Sequence, residues 1–300
     1  MSIKLFNIQK GEFENENVCA ESFMRFLYGT QIGKLTIWAI FKRLFFSRLC
    51  GCWADSTRSR KSIMKFIADN KIDILECKNP PSTYKTFNDF FTRELADGKR
   101  PIAEPENANV VSFPSDGRHL LIENISQQET FYAKGTKFNL AGFLGDEKLA
   151  SRFENGTMLI SRLAPVDYHR FHYPISGEIV ARKLINGKLF SVSPIALSKR
   201  LSIFWENKRI VNLIESQEFG VCAFVEIGAT NVGSIENFGK LGEIAKRGEQ
   251  AGLFRFGGSC VVTIFPKENK IQWNEALKKY SPQSIECYAK ANQFAGVKVQ

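Results

Sequence analysis

The chain has 300 residues, of which 44% are hydrophobic and 24% are charged. This composition is typical of a folded protein with one or two domains and argues against a disordered chain. The formal net charge of +10 suits an anionic partner, either nucleic acid or a lipid surface. Acidic residues precede the first apolar run, and no apolar stretch approaches the roughly 20 residues of a spanning helix, so we expect neither a secretory signal nor a transmembrane helix.

Positive charge is concentrated in residues 31–71, where nine Lys and Arg residues accompany only two Asp residues. Apolar side chains recur there at steps of three and four residues: Leu35, Trp38, Phe41, Phe45 and Leu49. This spacing gathers them on one helical face, and the sequence predicts helices over residues 20–75. A helix of this kind can lie in a membrane interface, with its basic side chains reaching outward. It can equally pack on the rest of the protein, and the sequence leaves both alternatives open.

Residues 79–82 read Asn-Pro-Pro-Ser, which predicts the end of the helical part. Beyond them, short β-branched or apolar runs alternate with Gly, Pro and Asn, a pattern typical of strands. The clearest runs are 109–113, 156–160, 222–227 and 260–265. One short helix is predicted between residues 144 and 155. The predicted fold class is α+β, with a helical, membrane-associating N-terminal region (1–78) followed by a β-rich, mainly antiparallel catalytic domain (79–300).

Two of the three histidines, His169 and His172, lie between Pro165 and Pro174. The prolines predict an irregular loop, and loops on a scaffold often carry catalytic groups. A His-x-x-His pair can also be structural or form half of a metal site. No further cluster of metal-binding residue types adjoins it, so we predict no metal site.

Two turn-like motifs are the other candidates for chemistry. Asp116 lies in the sequence Pro-Ser-Asp-Gly, which taken alone predicts a turn. Ser259 follows Gly257 and Gly258, and paired glycines also favour a tight turn. A serine in that position can attack the carbonyl group before it, but neither motif is decisive alone.

Taken together and in order, the motifs resemble the phosphatidylserine decarboxylase family from about residue 80 to residue 266. The matching blocks are Phe87–Arg93 with Arg100-Pro101, Pro114–Gly117, Lys134-Gly135 with Leu144-Gly145, Arg162–Pro174, Gly228–Ile235 and Gly257–Ser259. The block at 162–174 is close to a fingerprint of the family. One departure is Cys260, where the family usually has Thr or Ser; we interpret it as a small replacement side chain that leaves the Gly-Ser pair intact.

The resemblance implies a self-processing proenzyme. Asp116, His172 and Ser259 would form a charge-relay triad that cuts the chain between Gly258 and Ser259. The products would be a β chain, residues 1–258, and an α chain, residues 259–300. Ser259 would become a covalent pyruvoyl cofactor, which forms a Schiff base with the substrate amine. His169 would assist the decarboxylation.

The resemblance also implies the partners. The substrate would be phosphatidylserine in the membrane and the product phosphatidylethanolamine, a step of phospholipid biosynthesis. The basic segment at 31–71 would then bind an anionic membrane surface, and no nucleic acid is expected. We expect a peripheral protein on the cytoplasmic face of the cell membrane, with αβ units assembling into a homo-oligomer.

Three other functions are compatible with parts of the sequence. A relative within the family could decarboxylate a soluble amino acid. A serine hydrolase could use the same three residues without cutting its own chain. A non-catalytic protein with a basic arm could bind membranes or nucleic acid, but it would leave Asp116, His172 and Ser259 without a role.

Overall fold

A computed structural model describes residues 3–16, 30, 51–126, 138–229, 235–257 and 259–299. The strands in these ranges are β1 (Ile3–Asn7), β2 (Glu12–Glu16), β3 (Val110–Ser112), β4 (Gly117–Ile122), β5 (Thr157–Leu163), β6 (Arg170–His172), β7 (Gly177–Ile185), β8 (Arg209–Ser216), β9 (Gly220–Gly228), β10 (Ile235–Asn237), β11 (Ile244–Ala245), β12 (Gln250–Phe254), β13 (Ser259–Phe265), β14 (Ile271–Trp273), β15 (Glu286–Ala289) and β16 (Phe294–Lys298). The helices are α1 (Lys61–Asn70), α2 (Phe87–Phe91), α3 (Leu140–Leu144), α4 (Glu147–Ser151), α5 (Pro194–Leu197), α6 (Ile203–Glu206) and α7 (Glu275–Tyr280). The four predicted strands are confirmed as β3, β5, β9 and β13.

Ten of the described strands form one large sheet, in the order β11-β7-β8-β9-β13-β5-β4-β15-β1-β2. Neighbouring strands are antiparallel except for β1 and β15, which run parallel. The predicted α+β class with mainly antiparallel strands is therefore confirmed. Strand β13 lies inside the sheet and is paired along its length with β9 on one side and β5 on the other.

The large sheet buries both of its faces, because successive side chains of a strand point to opposite sides. On β13, Cys260, Val262 and Ile264 join one hydrophobic cluster, which also contains residues of α3 to α6. Val261 and Phe265 join a second cluster, which includes residues of α7 and of the small sheets. Strands buried on both faces read as continuous apolar runs, which explains why β9 and β13 were recognisable in the sequence.

Two three-stranded sheets complete the β structure of the described chain, with orders β10-β12-β6 and β14-β16-β3. In the first, β6 pairs with β12, so that His172 lies opposite Gln250. The segment between Pro165 and Pro174 is therefore not a wholly irregular loop as predicted, since its second half is a strand that holds His172 in register.

The N-terminal residues differ from the expected helical region. Residues 3–16 form the hairpin of β1 and β2, which turns at Gly11 with φ of +69°. Strand β1 pairs with β15 and so extends the large sheet. Each strand is only five residues long, and Phe13 is the one apolar residue of β2, so the hairpin has no alternating pattern that would predict it. Residues 31–50, which carry the whole of the predicted amphipathic stripe, lie outside the described residues.

Helix α1 packs on the catalytic domain. Its buried residues Ile63 and Ile67 join Phe87, Phe90 and Phe91 of α2 in a third hydrophobic cluster. The choice between membrane contact and packing for the stripe from Leu35 to Leu49 stays untested, because those residues lie outside the described ranges. The opposite side of α1 exposes Lys61, Met64 and Lys65. No helix in the described ranges is both long and apolar enough to cross a membrane.

The short helix predicted at 144–155 is shorter than expected. Leu144 ends α3, and Gly145 follows in the left-handed conformation with φ of +68°. A new helix then begins, because the Asp146 side chain accepts a hydrogen bond from the Leu149 amide at 2.9 Å and caps the free amides of α4. The predicted end of the helix at Asn155 is a residue with φ of +58°.

Candidate active site

Ser259 is the first residue of β13 and is fully buried. It lies opposite Leu163 of β5 and Gly228 of β9. Its side chain shares the face of Val261, whereas Cys260 points into the other cluster. The Ser259 hydroxyl has no hydrogen-bond partner among the described residues, which is unusual for a buried polar atom.

The backbone on either side of the site needs glycine. Gly257 has a φ of +146°, a conformation that side chains with a Cβ rarely adopt. At Gly117, next to Asp116, a Cβ atom would lie 2.4 Å from the Arg162 carbonyl oxygen. The absence of a side chain at Gly117 therefore lets β4 approach β5 closely where Asp116 enters the site.

Asp116 is buried and fully hydrogen bonded. Its Oδ1 accepts from Arg100 Nε at 2.8 Å and from the Ala291 amide at 2.9 Å, and its Oδ2 accepts from Arg100 Nη2 at 2.6 Å. Glu76 in turn accepts hydrogen bonds from Arg100 and Lys290. Burial raises the pKa of Glu76, but these two cations outweigh it and lower the pKa to about 2.

His172 lies close to Asp116 but is not hydrogen bonded to it. Its backbone amide donates to the Pro114 carbonyl at 2.7 Å, and its Nδ1 lies 2.8 Å from the Gly248 carbonyl oxygen. A carbonyl only accepts, so Nδ1 carries the proton and Nε2 keeps its lone pair. Burial lowers the pKa of His172, while the Gly248 carbonyl and the charge of Asp116 oppose this. The imidazole is thus neutral at pH 7, and Nε2 has no partner in the described chain.

His169 has the same tautomer in a different setting. Its Nδ1 lies 3.0 Å from the Asp167 carbonyl oxygen, and its ring stacks on Phe91 with 3.8 Å between the ring centres. Burial lowers the pKa of His169 to about 3, against the effect of the Asp167 and Gly257 backbones. This places His169 beside Gly257, at the start of the Gly-Gly-Ser sequence. Its Nε2 is likewise unpartnered in the part of the chain described.

The four site residues meet at one end of the sheet. Arg118 lies opposite Arg162, so Asp116 and Gly117 lie beside Leu163, which lies opposite Ser259. Strands are about 4.8 Å apart, so the backbones at Asp116 and Ser259 are separated by about 10 Å. The Ser259 hydroxyl, His169 Nε2 and His172 Nε2 are all buried and make no hydrogen bond to one another.

A second set of buried charges lies beside the site, and no sequence motif predicts it. Arg118 pairs with Asp167 and Glu16, and Arg162 pairs with Glu16 and Glu286. Asp167 also accepts from the Ala164 amide at 2.6 Å, which shapes the turn before His169. Arg162 and Asp167 are in the recognised fingerprint, but Glu16 and Glu286 are too distant in sequence to be assigned. Within the described residues no group of His, Cys, Asp and Glu could hold a metal ion.

Comparisons with known proteins agree with the motifs. Residues 87–284 match the phosphatidylserine decarboxylase family. A protein of Fusobacterium nucleatum named phosphatidylserine decarboxylase proenzyme is 40% identical over 284 residues, covering 95% of this chain and 94% of the relative. Proteins of the same name from Chlamydia trachomatis and Clostridium botulinum are 40% and 36% identical, and each alignment covers at least 95% of both chains. The chain therefore belongs to the phosphatidylserine decarboxylase family of enzymes.

Proposed function

We propose that this chain cuts itself between Gly258 and Ser259 and then decarboxylates phosphatidylserine to phosphatidylethanolamine, using a pyruvoyl group made from Ser259. The observation that carries the proposal is the Ser259 hydroxyl, which is buried without a hydrogen-bond partner in the described chain. It lies at the same end of the sheet as two neutral histidines whose Nε2 atoms are also free there. A structural serine in such a place would normally be hydrogen bonded.

The residues at Ser259 fit a pyruvoyl group. Serine and pyruvoyl share the same carbon skeleton, and the hydroxyl that would be lost has no partner among the residues described. Loss of the hydroxyl therefore breaks no side-chain hydrogen bond and adds no bulk to the closely packed end of β13. When formed, the group supplies a carbonyl that binds the substrate amine and accepts electrons as CO2 leaves.

Self-cleavage needs a base for the serine hydroxyl, because a neutral hydroxyl is a weak nucleophile. We assign this role to His172 Nε2, and Asp116 stabilises the resulting imidazolium through space. Ser259 Oγ then attacks the Gly258 carbonyl carbon, the peptide C–N bond breaks, and an ester replaces it with the proton delivered to the Ser259 nitrogen. Loss of the Ser259 α-proton expels the Gly258 carboxylate and leaves dehydroalanine. Addition of water and loss of ammonia complete the new N-terminus of the α chain.

His169 serves the second reaction in this proposal. It lies beside Gly257, and its stacking on Phe91 fixes the ring plane. The hydrogen bond at Nδ1 leaves only Nε2 to exchange a proton with the substrate. Nε2 carries no proton in the neutral ring, so we assign to it first the uptake of the proton that the substrate ammonium releases, and then its delivery to the carbon that CO2 leaves. Burial of the ring excludes bulk water, which would otherwise compete as the proton donor.

The lipid substrate places the enzyme at a membrane surface, and we propose peripheral binding at the cytoplasmic face. The described part of the basic segment exposes Arg58, Arg60, Lys61, Lys65 and Lys71. Exposed apolar side chains accompany them, namely Trp53, Met64, Ile74 and Leu75. Each basic residue near an anionic surface contributes about 1 kcal/mol, and the apolar side chains add burial in the interface. Assembly of αβ units into a homo-oligomer remains a prediction.

The decisive experiment is the intact mass of the purified protein. Self-cleavage predicts a β chain of residues 1–258 and an α chain of residues 259–300 whose N-terminus carries a ketone. Borohydride should add two hydrogen atoms to the α chain, and cyanoborohydride with phosphatidylserine should attach the lipid to the same chain. An active preparation with one uncut chain, or with an ordinary serine at residue 259, would overturn the proposal. Activity on a soluble amino acid but not on phosphatidylserine would overturn the proposed substrate and leave the proposed self-cleavage and pyruvoyl chemistry unchanged.

A further inference from the structure

The described chain contains five buried arginines, and four of them each have at least two carboxylate, carbonyl or hydroxyl partners. The five are Arg93, Arg118, Arg162, Arg209 and Arg247. Arg118 and Arg162 pair with carboxylates. Arg209 and Arg247 donate to backbone carbonyls, and Arg247 also donates to Ser112 Oγ. This is the expected pattern, because a guanidinium removed from water is costly unless its donors are satisfied.

Arg93 is the exception. It is only 5% exposed, yet its Nη1 makes one long contact, 3.5 Å from the Phe90 carbonyl oxygen. The guanidinium also lies over the Phe90 ring at 4.9 Å and contacts the Cys77 thiol. No carboxylate among the described residues forms an ion pair with it. A guanidinium has five N–H donors, so Arg93 keeps donors free for an anion.

Arg93 lies between the candidate active site and the exposed turn at Ile74 and Leu75. It follows α2, whose Phe91 stacks on His169, and its positive charge contributes to the lowered pKa of His169. On its other side, Cys77 directly follows the turn that exposes Ile74 and Leu75. The guanidinium therefore lies near His169 and next to the end of the segment proposed to contact lipid.

We propose that Arg93 binds the phosphodiester of the phospholipid headgroup and so positions the substrate over His169 and Ser259. This inference rests on the proposed function. The planar fork of a guanidinium matches two oxygens of a phosphate. The substrate carboxylate is the poorer candidate, because a guanidinium would stabilise the charge that must disappear as CO2 leaves.

The first test compares Arg93→Gln with Lys78→Gln, which removes a neighbouring but exposed charge. The substrate is a short-chain phosphatidylserine below its micelle concentration, so that membrane binding does not contribute. Arg93→Gln should still be fully cut, but its KM should rise about 10- to 100-fold, the loss expected for a charge-assisted hydrogen bond. Lys78→Gln should keep the parent KM. The KM of Arg93→Lys should lie between those of the parent and of Arg93→Gln, because lysine keeps the positive charge but lacks the planar pair of donors.

A second readout is independent of turnover. Borohydride-reduced enzyme is titrated by calorimetry with two ligands. Glycerophosphocholine has a phosphodiester and no carboxylate, whereas N-acetylserine has a carboxylate and no phosphodiester. Binding of glycerophosphocholine should weaken by the same factor in Arg93→Gln. Binding of N-acetylserine alone to the parent enzyme would overturn the proposal, as would an unchanged KM in a fully cut Arg93→Gln. If Arg93→Gln and Arg93→Lys both remain uncut, Arg93 serves maturation and the proposal is wrong. Failure of the parent enzyme on phosphatidylserine would instead reject the proposed function.

Discussion

Arg100 holds Asp116 by a two-point ion pair, with Nε 2.8 Å from Oδ1 and Nη2 2.6 Å from Oδ2. Both side chains are more than 90% buried. The carboxylate of the proposed triad is thus fixed by an arginine and by the backbone of residue 291, which would lie on the other chain after cleavage.

Replacing Arg100 with Met should strongly destabilise the protein. It leaves the buried Asp116 carboxylate without its cation and the partly exposed Glu76 with Lys290 alone, and removing one partner of a buried ion pair costs about 3–5 kcal/mol. Urea unfolding of the uncut Ser259→Ala background measures this without interference from processing. Arg200→Met is the matched control, because Arg200 is 43% exposed in its pair with Glu206, and it should cost about 1 kcal/mol or less. Equal effects of the two substitutions would contradict the importance of the Arg100 pair.

Ser259→Ala should give one uncut, inactive chain, because the attacking hydroxyl is absent. Ser259→Cys keeps a nucleophile at the same atom position and should cut slowly. Gel mobility and intact mass distinguish the two outcomes. Cys260→Thr is a suitable control, since Cys260 points into the opposite cluster and should leave cleavage intact. Cleavage of Ser259→Ala at the same bond would show that another residue is the nucleophile.

The two histidines should separate the two reactions. His172→Ala removes the proposed base and should accumulate the uncut chain. His169→Ala should still be cut but decarboxylate poorly, with a loss of about 100-fold or more in kcat. The band pattern and CO2 release are measured on the same preparations. Normal maturation of His172→Ala would refute the triad assignment, and the position of His169 beside Gly257 would then favour His169 as the base.

Stability should fall as the pH rises through 8, because of Glu226. This carboxyl is buried on β9 and accepts hydrogen bonds from Asn212 and Asn237. Burial raises its pKa from 4.5 to about 8. The folded state then binds a proton that the unfolded state has released, so the contribution to stability is complete below pH 4.5 and is lost as the pH rises to 8.

Glu226→Gln tests that dependence, because the amide stays neutral at every pH. The variant should gain stability relative to the parent as the pH is raised from 6 to 9, by a few kcal/mol at most. Urea unfolding at both pH values measures the difference. Groups whose pKa is lowered to about 2 or 3, such as Glu76 and His169, titrate below this window. A constant difference between parent and variant would show that Glu226 is ionised in the folded protein.

The exposed face of α1 should contribute to membrane binding. Replacing Lys61 and Lys65 with Ser should weaken binding to anionic vesicles by about tenfold at low salt and less at high salt. Replacing Lys42, Arg43 and Arg48, which lie outside the described residues, should act in the same direction. The control is the same replacement at the exposed Lys267 and Lys270. These residues follow the C-terminal end of β13, whereas Ser259 lies at its N-terminal end. Equal binding by all variants at low salt would exclude this segment as the electrostatic anchor.

The sequence predicted strands best where both faces are buried, as in β9 and β13. It missed the hairpin at 3–16, because its strands are only five residues long, and no local pattern predicts the further pairing of β1 with the distant β15. Asp116, His169, His172 and Ser259 were selected from motifs, and all four prove to be buried. The hydrogen bonds of His172 to Gly248 and of Asp116 to Arg100 form only because the fold brings these residues together. The spacing of motifs in the sequence therefore could not predict them. The assigned roles of the four residues remain predictions.

Strand β13 is paired on both sides inside the large sheet, and this pairing affects how stable the protein would be after cleavage. Cutting before Ser259 would turn a single chain into a complex of two fragments with an unchanged topology. The α fragment would supply β13 to β16 and could leave only if the sheet were dismantled. Refolding after denaturation would then become a bimolecular reaction that depends on protein concentration, whereas the precursor folds as one chain. The mature protein would thus depend on kinetic stability, that is, on a slow rate of unfolding, because its two fragments would not readily reassemble once separated.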